Sequence, residues 1–143
     1  TSVTGQQQRL FPFKRLMKER MAGLDMDGSY GERYLNEGFS GGERKKNEIL
    51  QMRILDPKLA MLDETDSGLD VDAVRVVSKN ISEYHTDKNS ILIITHLNQL
   101  LKFIRPDRVH VLINGRIVGE GGPELADEIE ENGFDSYRAA AEE

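Results

Sequence analysis

Two short apolar runs set the limits on what this chain can fold into. Leu59-Ala60-Met61-Leu62 breaks off at two adjacent acids, Asp63-Glu64, and Ile91-Leu92-Ile93-Ile94 breaks off at Thr95-His96. An unbroken apolar run of that length predicts a strand buried on both faces, with its C-terminal tip delivering polar residues to a site. Between the two lies a turn over 66–70. A helix follows, with Asp70 as its cap and an apolar stripe of Val74, Val77, Ile81 and Tyr84, and then a polar loop over 85–90. Strand, helix, strand in this order needs a crossover connection, so the two strands are expected to be parallel and the chain to be of the α/β class.

The flanking segments read less sharply. Residues 1–9 form a polar, weakly ordered lead-in. Leu10, Phe13, Leu16, Met17, Met21 and Leu24 recur at helical spacing, which predicts an amphipathic helix interrupted early by Pro12. A connector over 30–39 follows, with Tyr34 and Leu35 as its expected anchors. Ser40 stands three residues before Glu43, the spacing of a capping box, and opens a helix to about Leu55 whose face carries Lys46, Ile49, Leu50, Arg53 and Ile54. Pro57 marks the expected division between a helical portion, residues 1–57, and the rest, residues 58–143. Downstream, Leu97, Leu100, Leu101 and Ile104 predict a helix that Pro106 stops. The segment 109–118 predicts a hairpin turning at Asn114-Gly115 in a type I′ turn. Pro123 and Gly133 bracket a last short helix, with 139–143 expected to fray.

Composition excludes several classes of function. The 143 residues carry 19 Lys plus Arg against 25 Asp plus Glu, a net charge of -6, with no basic stripe to track a nucleic acid backbone. No cysteine is present, which removes thiolate catalysis and cysteine-ligated metal from this chain. No apolar run approaches the ~18 residues of a membrane span. A soluble, cytoplasmic protein without direct membrane insertion is expected.

The polar residues at the strand tips and at Ser40 carry the chemistry. A helix opened by Gly41-Gly42 offers unpaired N–H groups, the positive end of a dipole and unobstructed approach, which suits a phosphate. By itself, Ser-Gly-Gly-Glu is equally a plain capping box. Asp63 and Glu64, adjacent at a strand tip, project in different directions, so that one can serve a magnesium ion while the other addresses an attacking water. His96 sits at the tip of the next strand, where side chains gather at the C-terminal edge of a parallel sheet.

In order, Ser40-Gly41-Gly42-Glu43, the strand ending in Asp63-Glu64, Ser67-Gly68-Leu69-Asp70 and the strand ending in Thr95-His96 resemble the signature, Walker B, D-loop and H-loop of the ABC ATPases. More narrowly, 37–43, 44–52 with Asn47 and Gln51, 63–70 and 106–118 look like the SufC family, the ATPase subunit of the Suf iron-sulfur cluster assembly machinery. The likeness runs from about Met26 to Tyr137. It implies a partial P-loop NTPase domain: a helical subdomain portion ending in the signature helix, then the C-terminal part of a RecA-like catalytic lobe. It implies ATP as substrate, magnesium on Asp63, Glu64 polarising the hydrolytic water, and His96 at the γ-phosphate. Ser40, Gly41, Gly42 and Glu43 would cover ATP bound on a second copy, with Ser67 and Asp70 transmitting across the dimer. The implied partners are SufB and SufD, and a resting-state pairing of Lys45 or Lys46 with Glu64 is expected.

One departure is large: G-x-x-x-x-G-K-[ST], the loop that cradles the phosphates, occurs nowhere in the sequence. The chain alone is therefore expected to bind nucleotide poorly and not to turn it over. An ATPase subunit of an ABC transporter, a head segment of the SMC type and a non-catalytic partner-binding fragment remain as alternatives.

Overall fold

The computed structural model describes residues 9–96 and 99–141, with side chains through 138. The order of elements is α1 (Leu10–Gly23), a 3-10 turn (Gly28–Glu32), α2 (Gly41–Leu55), β1 (Leu59–Asp63), α3 (Val71–Tyr84), β2 (Ser90–Ile94), β3 (Val109–Ile113), β4 (Arg116–Gly121), α4 (Pro123–Asn132) and α5 (Asp135–Ala141). They pack as two compact units, Thr1–Leu100 and Leu101–Glu143. The polar lead-in up to residue 8 and Leu97 lie outside the described residues.

In the first unit β1 and β2 pair in parallel, with Leu59 opposite Ser90, Met61 opposite Leu92 and Asp63 opposite Ile94. The α/β reading holds, and α3 forms as its stripe predicts: Val74, Val77, Ile81 and Tyr84 are all buried. Each of the three aliphatic members contributes about 1.5–3 kcal/mol by leaving water. The strands differ from expectation. Only Ala60 and Leu62 of β1 are buried, while Leu59, Met61, Leu92 and Ile94 are 57%, 65%, 46% and 48% exposed. A two-stranded sheet packed on one face leaves alternate residues of each strand in solvent, so the apolar runs are half-buried here.

Pro12 does not interrupt α1. It falls in the first helical turn, whose N–H groups have no intrahelical partner, and the ladder starts beyond it with Phe13 N–H donating to Arg9 C=O at 3.2 Å. The anchors of the following connector are also different. Tyr34 and Leu35 are 82% and 69% exposed, and Phe39 is buried instead, meeting Tyr30 edge to face at 4.7 Å between ring centroids. Asn80 of α3 joins the helices: its side-chain amide donates to Gly23 C=O at 2.7 Å, closing α1, and its backbone carbonyl accepts from Arg53 of α2 at 3.3 Å. Burial, and secondarily the nearby Arg20, lowers the pKa of the Arg53 guanidinium.

Residues 99–103 run as turns rather than as the expected helix. Pro106 drives Arg105 out of helical backbone, and what is left is too short to offset the cost of nucleation. In the second unit β3 and β4 form the expected antiparallel hairpin, with Asn114 and Gly115 both at positive φ (50° and 77°) as a type I′ turn requires. Val111, Leu125 and Ile129 make its core, with Phe134 and Tyr137 packed against them. Residues 142 and 143 lie outside the described residues, and helix α5 runs to Ala141, into the segment expected to fray. Tyr137 holds it, lying over Gly119 and donating its hydroxyl to Glu128 at 2.9 Å. None of the described helices is long and apolar enough to cross a membrane.

Candidate active site

The site lies wholly in the first unit, at the C-terminal ends of β1 and β2. Asp63 is the last residue of β1, paired with Ile94, the last of β2, so Glu64 and His96 stand one and two residues past the paired ends of adjacent strands. Glu64 N–H donates to Ile94 C=O at 2.8 Å, one rung past the sheet, and Ser67 N–H donates back to Glu64 C=O at 3.1 Å. This turn holds Glu64 at φ 47°, in the left-handed region. For a residue with a Cβ that costs on the order of 1 kcal/mol, and such strain persists where neighbouring contacts fix the backbone. The result is that Glu64 Oε1 lies 3.1 Å from His96 Nδ1. With the proton on Nδ1 the imidazole donates to the carboxylate, which orients it as a base.

Beneath this pair is one that the sequence did not disclose. Asp66 is 2% exposed, and Thr95 Oγ1 lies 3.0 Å from each of its carboxylate oxygens. Nothing in composition or periodicity separates Asp66 from an ordinary turn residue. Its burial depends on which strand lies beside β1.

The signature-like segment forms as its spacing predicts. Ser40 Oγ accepts from Glu43 N–H at 3.3 Å and the Glu43 carboxylate accepts from Ser40 N–H at 2.7 Å, a complete capping box. The Tyr30 hydroxyl donates to the same carboxylate. Gly41 is exposed, and a Cβ built on it would meet nothing within 4 Å. Its N–H and that of Gly42 precede the first intrahelical bond, from Arg44 N–H to Ser40 C=O at 3.0 Å. Gly42 approaches the turn before α3, with Leu69 Cδ2 only 3.5 Å from where its Cβ would stand. The structure therefore sets Gly42, though not Gly41, against Leu69, and Asp70 caps α3 by accepting from Ala73 N–H at 2.8 Å.

The lysines are not where the resemblance implied. Lys45 pairs with Glu48 at 3.4 Å and Lys46 donates to Asp25 C=O at 3.4 Å, while Glu64 is taken by His96. On α2 both lysines find partners within or upstream of the helix, and the imidazole is closer to Glu64 in the sheet register.

No group of three or more metal-ligating side chains occurs among the described residues. Magnesium commonly binds through one or two carboxylates and takes its other ligands from substrate phosphates and water. Asp63 presents an exposed carboxylate at the end of β1. A groove of about 440 Å³ runs along β1, bounded by Glu48, Met52, Met61 and Asp63. Glu64 and His96 are not among its lining residues; their side chains are 53% and 61% exposed.

Similarity to known proteins gives this geometry its context. The structure superposes on an ATP-binding cassette of an ABC transporter in its ADP conformation, with a TM-score of 0.67 at 22% identity over 95% of this chain and 51% of that one. It superposes also on a bacterial Atm1-family ABC exporter with ATP bound, TM-score 0.65 at 19% identity, over 89% and 23% of the two chains. The fold is that of the ATP-binding cassette ATPases. In sequence the chain is 52% identical over 131 residues to vegetative protein 296 of Bacillus subtilis, covering 92% of this chain and 50% of that protein. It is 52% identical over 123 residues to the probable ATP-dependent transporter ycf16 of Cyanophora paradoxa, covering 86% and 48%. A probable ABC transporter ATP-binding protein of Streptococcus pyogenes is 53% identical over 118 residues, covering 82% and 46%. The chain thus spans about half the length of the curated relatives it matches. No protein-family model matches it.

Proposed function

We propose that this chain is the C-terminal half of a SufC-like ATPase that hydrolyses ATP at a dimer interface and drives change in a SufB–SufD scaffold. The observation that carries the ATPase reading is the 3.1 Å approach of Glu64 to His96 at the tips of two parallel strands, with Gly42 of α2 against Leu69 of the 67–70 turn. In this reading residues 1–57 are the helical subdomain portion and 58–143 the matching part of the catalytic lobe. Magnesium, held by Asp63, would neutralise phosphate charge. Glu64 takes the proton of the attacking water, His96 orients Glu64 and contacts the γ-phosphate, and Ser40 through Glu43 close over nucleotide on a second copy. Ser67 and Asp70 relay between copies. The half that carries the phosphate cradle covers the bare face of β1 and β2, where Leu59, Met61, Leu92 and Ile94 now meet solvent.

The Suf assignment is supported by the wording of 37–52, 63–70 and 106–118 around the shared motifs. An ABC transporter ATPase is the second reading, favoured by the names of the Streptococcus pyogenes and Cyanophora paradoxa relatives. Capture experiments separate them: retention of the chain by SufB–SufD, and not by a transporter's membrane subunit, supports the first, and the reverse result the second. Turnover is tested by completing the cassette with the half bearing the phosphate cradle. Glu64→Gln is then expected to lower kcat about 10²–10⁴-fold while leaving ATP bound; hydrolysis at the parental rate would remove Glu64 from its role. For the chain alone, calorimetric titration with ATP and magnesium should give no micromolar binding.

A further inference from the structure

We infer that Asp66 is a positioning residue that acts through Thr95 to hold Glu64 and His96 against each other. The exposed pair cannot hold its own geometry. Its side chains are 53% and 61% in solvent, where an ion pair or hydrogen bond gains little over water. The buried pair runs between the same two strand ends. Asp66 follows Glu64 by two residues and Thr95 precedes His96 by one. Asp66 is 2% exposed, and the Thr95 hydroxyl lies 3.0 Å from both its oxygens, so its single proton is shared between them. A buried carboxylate is costly unless it is hydrogen-bonded, which makes this contact far less exchangeable than the one above it. Together with Glu64 N–H to Ile94 C=O at 2.8 Å it brackets Glu64 on both sides and keeps its backbone at φ 47°.

The inference rests on Glu64 and His96 being the reacting pair, and it can be tested without turnover. In the full 143-residue chain with labelled histidine, long-range nitrogen correlation spectra report the state of the His96 ring. Glu64→Gln supplies the reference for a broken pair. Thr95→Val, which removes the hydroxyl and keeps the shape, should move the His96 Nδ1 signal most of the way to that reference. Thr95→Ser should leave it near the parent, and the methyl signals of Val77 and Ile81 should stay fixed in both. An unmoved Nδ1 signal in Thr95→Val with intact methyl signals overturns the inference, as does an equal shift in Thr95→Ser. Should Thr95→Val disturb the methyls, Asp66→Asn is read by the same criterion; loss of the core in both would make the pair a structural brace and end the positioning role. In a completed cassette, Thr95→Val is expected to lower kcat about 10–100-fold with KM little changed. An inactive parent cassette would count against the ATPase reading, and the ring signal would still decide the positioning.

Discussion

The capping box at the start of α2 makes a prediction that runs against its usual reading. In most such boxes the serine is the cap that matters, but here Ser40 Oγ receives Glu43 N–H at a long 3.3 Å, while the Glu43 carboxylate receives Ser40 N–H at 2.7 Å and the Tyr30 hydroxyl besides. Ser40→Ala should therefore cost about 0.5–1 kcal/mol, the low end for an N-cap. Glu43→Ala removes two charge-assisted hydrogen bonds, each worth about 1 kcal/mol after allowing for partial exposure, and a favourable charge at the positive end of the helix worth ~0.3–1 kcal/mol. The total is about 2–3 kcal/mol. Tyr30→Phe keeps the edge-to-face contact with Phe39 and loses only the hydroxyl, so it should cost about 1 kcal/mol in the parent and almost nothing once Glu43 is alanine. Urea unfolding followed by far-UV circular dichroism, with slopes held common, gives all four values. If Ser40→Ala proves as damaging as Glu43→Ala, or if Tyr30→Phe costs the same in both backgrounds, the carboxylate is not the hub of this helix start.

Three further outcomes test the packing. Ile81→Ala should lose about 2–5 kcal/mol, since that side chain is 1% exposed, whereas Met61→Ala, 65% exposed on the bare sheet face, should stay within about 0.5 kcal/mol; comparable losses in urea unfolding would mean the sheet face is covered. Gly119→Ala places a Cβ 2.8 Å from the Tyr137 ring and should destabilise the second unit by about 1–3 kcal/mol, read from the unfolding midpoint by tyrosine fluorescence. Burial, aided by the Asp56 charge, raises the Tyr84 pKa above 10.0, and its hydroxyl donates to Pro57 C=O. Raised in the fold, this group contributes stability that is complete below its unfolded pKa of about 10 and is lost as pH climbs through the folded value. Alkaline unfolding above about pH 10 should therefore be less steep in Tyr84→Phe, and identical pH profiles would refute the linkage.

The strand-tip positions of the proposed catalytic residues were legible because each rests on a local pattern. A run of apolar residues that breaks at a fixed point puts Asp63, Glu64 and His96 at strand tips whatever the surroundings, and Ser40 with Glu43 needs only one helical turn to form its box. The same reasoning failed at Tyr34 and Leu35. Apolarity alone cannot tell which ring in the connector turns inward; Phe39 is the one buried, packed edge to face with Tyr30, whose hydroxyl reaches Glu43. It failed also for the lysines, whose long side chains reach several partners at similar cost.

The sequence by itself determined α1 to α3, the parallel β1–β2 pair, the β3–β4 hairpin and the residues at the strand tips, though not the turns at 99–103 or helix α5, because helix periodicity, caps and apolar runs act over one or two turns of chain. Only the tertiary structure decided that Glu64 meets His96 rather than Lys45, that Asp66 is buried under Thr95, and that Leu59, Met61, Leu92 and Ile94 meet solvent. Those outcomes depend on which strand lies beside which and on how many layers cover the sheet. Both are settled by contacts between residues some thirty positions apart, and no local pattern encodes them.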